Sequence, residues 1–323
     1  MGRIGIKQVA ALAGVSTATV SRTLAGKPVD AAMRARVEQA VVATGYRPNL
    51  AARRLRSRES GTIGLIVADI RNPFFTAVSR AVEDAAFAKG LRVILCNTDE
   101  NEAKEQMYLR LMEEERVTGA IFAPTRASAD ALARTRLTFP LVLIDRAAPA
   151  SQHDAVVLDN AGACAELVRH LHMARGYTRI AGFFGAASTT GRERREGYER
   201  AMCELGLEPD GCFLDHGNGF AEAAVDEILR RPARPEALIA SNGVMLVQMT
   251  RALLKAGLAI PRDIGIAGFD DEPWTEIVGG GLTVMAQPTE EIGRSALQML
   301  LDRCANPDSA ARRLVLQARC IAR

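Results

Sequence analysis

From residue 62 onward, short β-branched apolar runs alternate with longer amphipathic stretches, and no other feature of the chain narrows its fold as far. The runs fall at residues 62–68, 92–96, 120–123, 141–144, 155–158, 179–184, 237–240 and 264–269. Helical periodicity predicts helices near 74–89, 102–114, 164–174, 194–205, 221–230 and 246–256. Strands that are apolar on both faces and separated by helices imply parallel sheets covered on either side. Eight strands exceed one sheet of usual width, so two doubly wound parallel-sheet α/β subdomains are expected. Beyond them Ile292, Ala296, Met299 and Leu300 recur at helical spacing, and 314–316 is a last strand-like run.

A different pattern occupies the N-terminus. Residues 9–22, Val-Ala-Ala-Leu-Ala-Gly-Val-Ser-Thr-Ala-Thr-Val-Ser-Arg, read as two short helices around a tight turn. Val9, Ala10, Leu12 and Ala13 give the first helix an apolar face, and Gly14 permits the turn. Ser16 can cap the second helix, whose Val20 and Leu24 point inward at i, i+4. Thr17, Ala18, Ser21 and Arg22 are left facing out, as in a helix-turn-helix whose second helix enters the major groove. Asp30 can cap a third helix to about Thr44, with Met33, Val37, Ala40 and Val41 on one face and Gly45 as its stop. Residues 1–60 hold nine Arg and two Lys against two Glu and one Asp, a net +8; the whole chain is +3, so the remainder is −5. A basic head on a mildly acidic body is the footprint of a nucleic-acid-binding module joined to a part that does not bind phosphate.

Length and composition bound the rest. At 323 residues the chain suits one small and two medium units. It is 48% hydrophobic without an apolar run of about 18 residues, and its first residues lack the apolar segment of a secretory signal. Cys96, Cys164, Cys203, Cys212, Cys304 and Cys320 show no Cys-x-x-Cys spacing and read as reduced thiols. A cytoplasmic protein with no membrane partner, metal or cofactor is expected. Phosphate-loop, nucleophile-elbow and zinc-protease signatures are absent from the sequence, which argues against an enzyme. His170 and His172 stand two apart on the helix expected near 164–174, hence on different faces.

Ile6-Lys7-Gln8-Val9-Ala10, Ala13-Gly14-Val15-Ser16, Thr19-Val20-Ser21-Arg22 and Gly45-Tyr46-Arg47-Pro48-Asn49 resemble the DNA-binding head of the lac repressor/galactose repressor family. Asp69-Ile70-x-Asn72-Pro73-Phe74-Phe75, Arg194-x-x-Gly197-Tyr198, Gly268-Phe269-Asp270-Asp271 and Gln287-Pro288 are similar to its periplasmic-binding-protein-like core. The resemblance implies a ligand-controlled dimeric repressor reading a palindromic operator. It implies a head over 1–47, a hinge helix over 48–60 and an effector-binding core over 61–323. The core's first subdomain would take about 61–158 and 288–313, its second about 159–287 and 314–323. DNA contacts would come from Thr17, Ala18, Thr19, Ser21 and Arg22, and from the hinge residues Asn49, Ala52 and Leu55, with Leu55 as a minor-groove wedge. Arg194, Asn242 and Asp270 match effector-binding positions, and Phe74, Asp145, Asp69 and Gln287 join them. Ser241-Asn242-Gly243 departs from the family's frequent Ala-Asn-Asp. The chain shows no trailing leucine heptad, so a dimer is expected and not a tetramer.

Arg126, Arg146, Arg192 and Arg194 all follow expected strand ends and outnumber Asp69, Asp145 and Asp270, which favours an anionic effector such as a sugar acid. A neutral pentose or hexose held by Arg194, Asn242 and Asp270 is the alternative, with a nucleobase or a phosphorylated carrier protein as further effectors within the same family. A solute-binding protein without a DNA role is disfavoured by the basic head.

Overall fold

The computed structural model describes residues 5–24, 27–46, 61–133, 135–148, 151–186, 188–214 and 220–323. The chain divides into two compact units, Met1–Ser60 and Gly61–Arg323. The expected hinge, with Asn49, Ala52 and Leu55, lies outside the described residues.

The small unit is built from three helices, α1 (Ile6–Ala13), α2 (Thr17–Leu24) and α3 (Ala31–Thr44). Gly14 ends α1 at φ 62°, the left-handed conformation that glycine adopts without steric cost. Ser16 Oγ accepts from Thr19 N at 3.1 Å to start α2, and Asp30 Oδ1 accepts from Ala32 N and Met33 N to start α3. Val9, Ala10, Ala13, Val20, Val37 and Ala40 form the core, with Leu24 and Val41 half-buried against it. Leu12 and Met33 depart from expectation: they are 60% and 40% exposed, and so small a core is filled without them by the six buried residues just named.

The large unit holds two six-stranded sheets. Its elements run β1 (Thr62–Val67), α4 (Pro73–Ala88), β2 (Arg92–Asn97), α5 (Glu102–Glu114), β3 (Gly119–Phe122), α6 (Arg126–Leu132), β4 (Leu141–Ile144) and β5 (Asp154–Leu158). Then come α7 (Asn160–Arg175), β6 (Ile180–Gly185), α8 (Thr189–Glu204), β7 (Asp210–Leu214), α9 (Phe220–Arg230), β8 (Ala237–Ala240), α10 (Gly243–Lys255) and β9 (Gly265–Phe269). A 3-10 turn, Pro273–Glu276, precedes β10 (Val284–Ala286), α11 (Thr289–Ala305), β11 (Arg313–Leu316) and β12 (Arg319–Ile321). The first sheet is ordered β11-β5-β4-β3-β1-β2 and is parallel throughout. The second is ordered β12-β10-β9-β8-β6-β7, with only β12 antiparallel.

Each sheet is covered on both faces. Ile63, Leu65, Ile121, Val142 and Ile144 pack one face of the first sheet against α4 and α11, and Ile66, Met112, Phe122 and Leu143 fill its other side. α11 thus returns the chain to the first subdomain after β10. β11 pairs with β5, so the last passage between subdomains comes after Leu316 and not at the expected 313/314 boundary. The run at 314–316 looked like a second-subdomain strand because its partner, an all-buried β5, carries no sequence mark of its neighbours. The chain passes between subdomains at β5–α7, β10–α11 and β11–β12.

Candidate functional site

Parallel strands bring their carboxyl ends to one edge of each sheet, where doubly wound folds bind ligands. The loops leaving β1, β2 and β4 of the first sheet, and β6, β8, β9 and β10 of the second, enclose a cavity of about 170 Å³. Three helices begin there. Asn72 caps α4 through Phe74 N at 3.1 Å, Ser188 caps α8 through Gly191 N at 2.9 Å, and Asn242 caps α10 through Met245 N at 2.8 Å. The caps use Asn242 Oδ1, which leaves its amide N–H groups for a ligand, and the helix N-termini add partial positive charge to the cavity wall.

Two aspartates occupy equivalent places. Asp145 follows β4 and Asp270 follows β9, each the third strand from the same edge of its sheet, and both have positive φ, 64° and 75°. A strand that ends on a left-handed residue turns sharply, and holding it there costs about 1–3 kcal/mol that the surrounding fold must supply. Asp270 Oδ2 accepts from Gly243 N at 2.9 Å and Oδ1 from Gln287 Nε2 at 2.6 Å. The departure at position 243 has a steric consequence: a Cβ there would stand 2.9 Å from Asp270 Oδ2, so glycine makes room for this carboxylate at the start of α10. Burial pushes both carboxyls up in pKa, against Arg146 and Arg194 at Asp145 and against Arg194, Gln287 and Gly243 N–H at Asp270.

Two guanidiniums face them. Arg194 stacks on the Phe269 ring, 3.7 Å from its centroid, and donates from Nε to Asn160 Oδ1 at 2.8 Å, from Nη1 to Ser241 O and from Nη2 to Gln287 Oε1 at 3.3 Å. Burial draws its pKa down, and Asp145 and Asp270 oppose that. Arg146 donates from Nη2 to Glu100 Oε1 at 2.6 Å and lies 3.2 Å from Asp145 Oδ2 through Nε. Its Nε and Nη1 are buried without a hydrogen-bond partner. Burial acts to lower Arg146, but Asp145 and Glu100 outweigh it and the pKa is raised.

Of the expected effector residues, Asp69, Phe74, Asp145, Arg146, Arg194, Asn242, Asp270 and Gln287 line the cavity. Arg126 and Arg192 do not, and both are exposed. Arg126 opens α6, whose cap Thr125 is anchored inward on buried Glu105, so the next side chain turns to solvent. Arg192 lies two residues from Arg194 on α8, which starts at Thr189, five residues earlier than expected; two residues apart on a helix means opposite faces. The expected surplus of positive charge therefore disappears. Asp69, Asp99, Glu100, Asp145 and Asp270 meet only Arg71, Arg146 and Arg194 along the wall. Glu100 and Asp99 were missed although they stand at a strand end like the others, directly after β2.

On the small unit, Thr17, Ala18, Ser21 and Arg22 are exposed on one side of α2. Thr19 differs from expectation: it is half-buried, and its hydroxyl lies 2.9 Å from Ser16 Oγ at the cap.

Residues 5–49 match the model of the bacterial regulatory proteins of the lacI family, and residues 168–323 match the periplasmic binding protein-like domain. The HTH-type transcriptional regulator PtxS of Pseudomonas putida is 35% identical over 99% of this chain and 95% of its own length. The chain belongs to the lacI family. The ribose operon repressor of Escherichia coli is 33% identical, with 96% of each chain covered. The crystal structure of the lac repressor dimer bound to operator superposes with a TM-score of 0.88 over 100% of this chain and 98% of that one; at 22% identity it shows the shared fold. This lacI-family chain is a ligand-responsive, DNA-binding transcriptional regulator, and its relatives are regulators and not enzymes. Among the described residues no helix is long and apolar enough to cross a membrane.

Proposed function

We propose that the chain is a cytoplasmic repressor of a carbohydrate operon whose effector is a neutral monosaccharide of the ribose kind. The observation that carries this reading is the alternation of Asp145 and Asp270 with Arg146 and Arg194 around a cavity of about 170 Å³. Sugar hydroxyls donate to the carboxylates and accept from the guanidiniums, and Phe74 and Phe75, which line the cavity, supply an apolar wall for a ring's CH face. With five carboxylates to three guanidiniums, an anion would add like charge beside Asp145. The similarity to a ribose operon repressor supports the same class. A sugar acid is the second reading, favoured by the buried Nη1 of Arg146, which has no hydrogen-bond partner and is placed to receive a carboxylate.

Calorimetry with D-ribose, D-fructose, gluconate and 2-ketogluconate separates the two. The neutral reading expects a pentose or hexose to bind at least tenfold tighter than any sugar acid, about 1.4 kcal/mol. Preferential binding of an acid that Arg146→Ala abolishes would establish the second reading instead. The hinge is assigned the family's role: Leu55→Ala should reduce operator bending and affinity while leaving effector affinity unchanged.

A further inference from the structure

Asn160 is 2% exposed and opens α7, where the chain first leaves the first sheet for the second subdomain. Its amide is polarised by its neighbours in only one sense. Oδ1 accepts from Arg194 Nε at 2.8 Å, because an arginine only donates, and Nδ2 donates to Glu193 Oε2 at 2.7 Å, because a carboxylate only accepts. The second passage between subdomains touches the same guanidinium, through Gln287 Oε1 at 3.3 Å from Arg194 Nη2. Glu193 is also attracted by Arg313 on β11, the strand that precedes the third passage. Helix formation does not explain this chain of contacts. α7 is capped by Asp159, whose Oδ1 accepts from Gly162 N at 2.8 Å. The close crossing of α7 and α8 is secured by Gly197, where a Cβ would stand 2.0 Å from Ala161 O.

We propose that Asn160 and Glu193 are positioning residues: they fix the Arg194 guanidinium toward the effector and tie its occupancy to the passages between the subdomains. This rests on Arg194 touching the effector, as in the reading above. An effector that pulls on Arg194 then pulls on backbone at two crossings at once, which is where a closing motion of the subdomains must be absorbed.

The test is a swap in the full-length protein. Asn160→Asp sets a carboxylate against Glu193 and should weaken D-ribose binding at least about tenfold by calorimetry. Adding Glu193→Gln reverses one hydrogen bond, the new amide donating to the new carboxylate, at unchanged net charge, and should bring affinity back to within about threefold of wild type. A double variant no better than the single one, or an Asn160→Asp protein that binds as wild type, overturns the proposal. Amide hydrogen exchange at residues 158–162 and 286–289 of the ligand-free protein gives a second measure: faster in Asn160→Asp, restored in the double variant. Should wild type fail to bind D-ribose, the effector reading falls, and the exchange pattern alone decides whether the pair positions Arg194.

Discussion

Single carboxylates in this molecule are pulled in opposite directions, and their stability signatures differ accordingly. Asp154 is fully buried at the start of β5 and receives Arg303 Nη2 at 2.8 Å, Arg312 N at 2.7 Å and Arg312 Nη2 at 3.1 Å. Burial raises its pKa, but the hydrogen bonds from Arg303 and Arg312 outweigh that and the net shift is downward. A folded-state pKa below the unfolded value of about 3.9 gives stability that is present above that pH and lost as pH falls through the folded value. Asp154→Asn should therefore cost about 3 kcal/mol near neutral pH. In urea titrations the gap to wild type should close as the pH is taken below the ordinary aspartate range. Asp145 has the reverse sign, its folded pKa being raised: the stability it favours is present at low pH and is lost as pH rises through the unfolded and then the folded value. Asp145→Asn should raise the melting temperature of the ligand-free protein at neutral pH and abolish the effector-dependent increase, the trade expected where a strained charge serves binding. A drop in melting temperature would show that the Asp145 charge mainly supports Arg146.

Among the elements, α2 carries the sharpest expectation for DNA. Arg22 is exposed beside Ser21 and Ala18, so a bidentate guanine contact would make Arg22→Ala cost roughly 1–3 kcal/mol on the specific operator alone. Equal losses on specific and random DNA in mobility-shift titrations would mark it as a phosphate anchor. The elements also show what sequence could carry. Strands buried on both faces, such as β1, β4 and β8, were legible because their apolar runs are unbroken. The missed ones are β7, half-solvated at a sheet edge with Asp210 and Gly211 in its first positions, and the three-residue β10 and β12, too short for any period to register. Periodicity alone places the start of α8 too late because Thr189–Glu193 offers no apolar residue; its cap Ser188 is the signal in the sequence for the true start, which turns Arg192 away from Arg194 and the site. Strand ends located most of the cavity wall. Asn160 and Glu193 could not be found that way, since their role exists only through tertiary contact with Arg194.

At the scale of the whole molecule, an operator that is an inverted repeat would need two heads, and one edge of the core offers a surface that can join two copies. β2 is the edge strand of the first sheet, and it leaves Leu95 51% exposed, with Phe87 at the end of α4 and Met107 on α5 also open to solvent. Monomeric proteins guard such an edge with charge or proline, whereas Arg92-Val93-Ile94-Leu95-Cys96-Asn97 places its only charge at the first position. An apolar, unguarded edge of this kind suits the same edge of a second copy related by a twofold axis, which would cover Leu95 in both. Leu95→Arg should then shift the protein from dimer toward monomer in sedimentation velocity. It should leave D-ribose affinity unchanged, because the cavity lies at the strands' carboxyl ends and does not include this residue. Affinity for a full palindrome should fall toward that for a half-site, since the second head no longer arrives at high effective concentration. A variant that remains dimeric would move the interface to other exposed apolar positions such as Phe213 or Ile277 in the second subdomain.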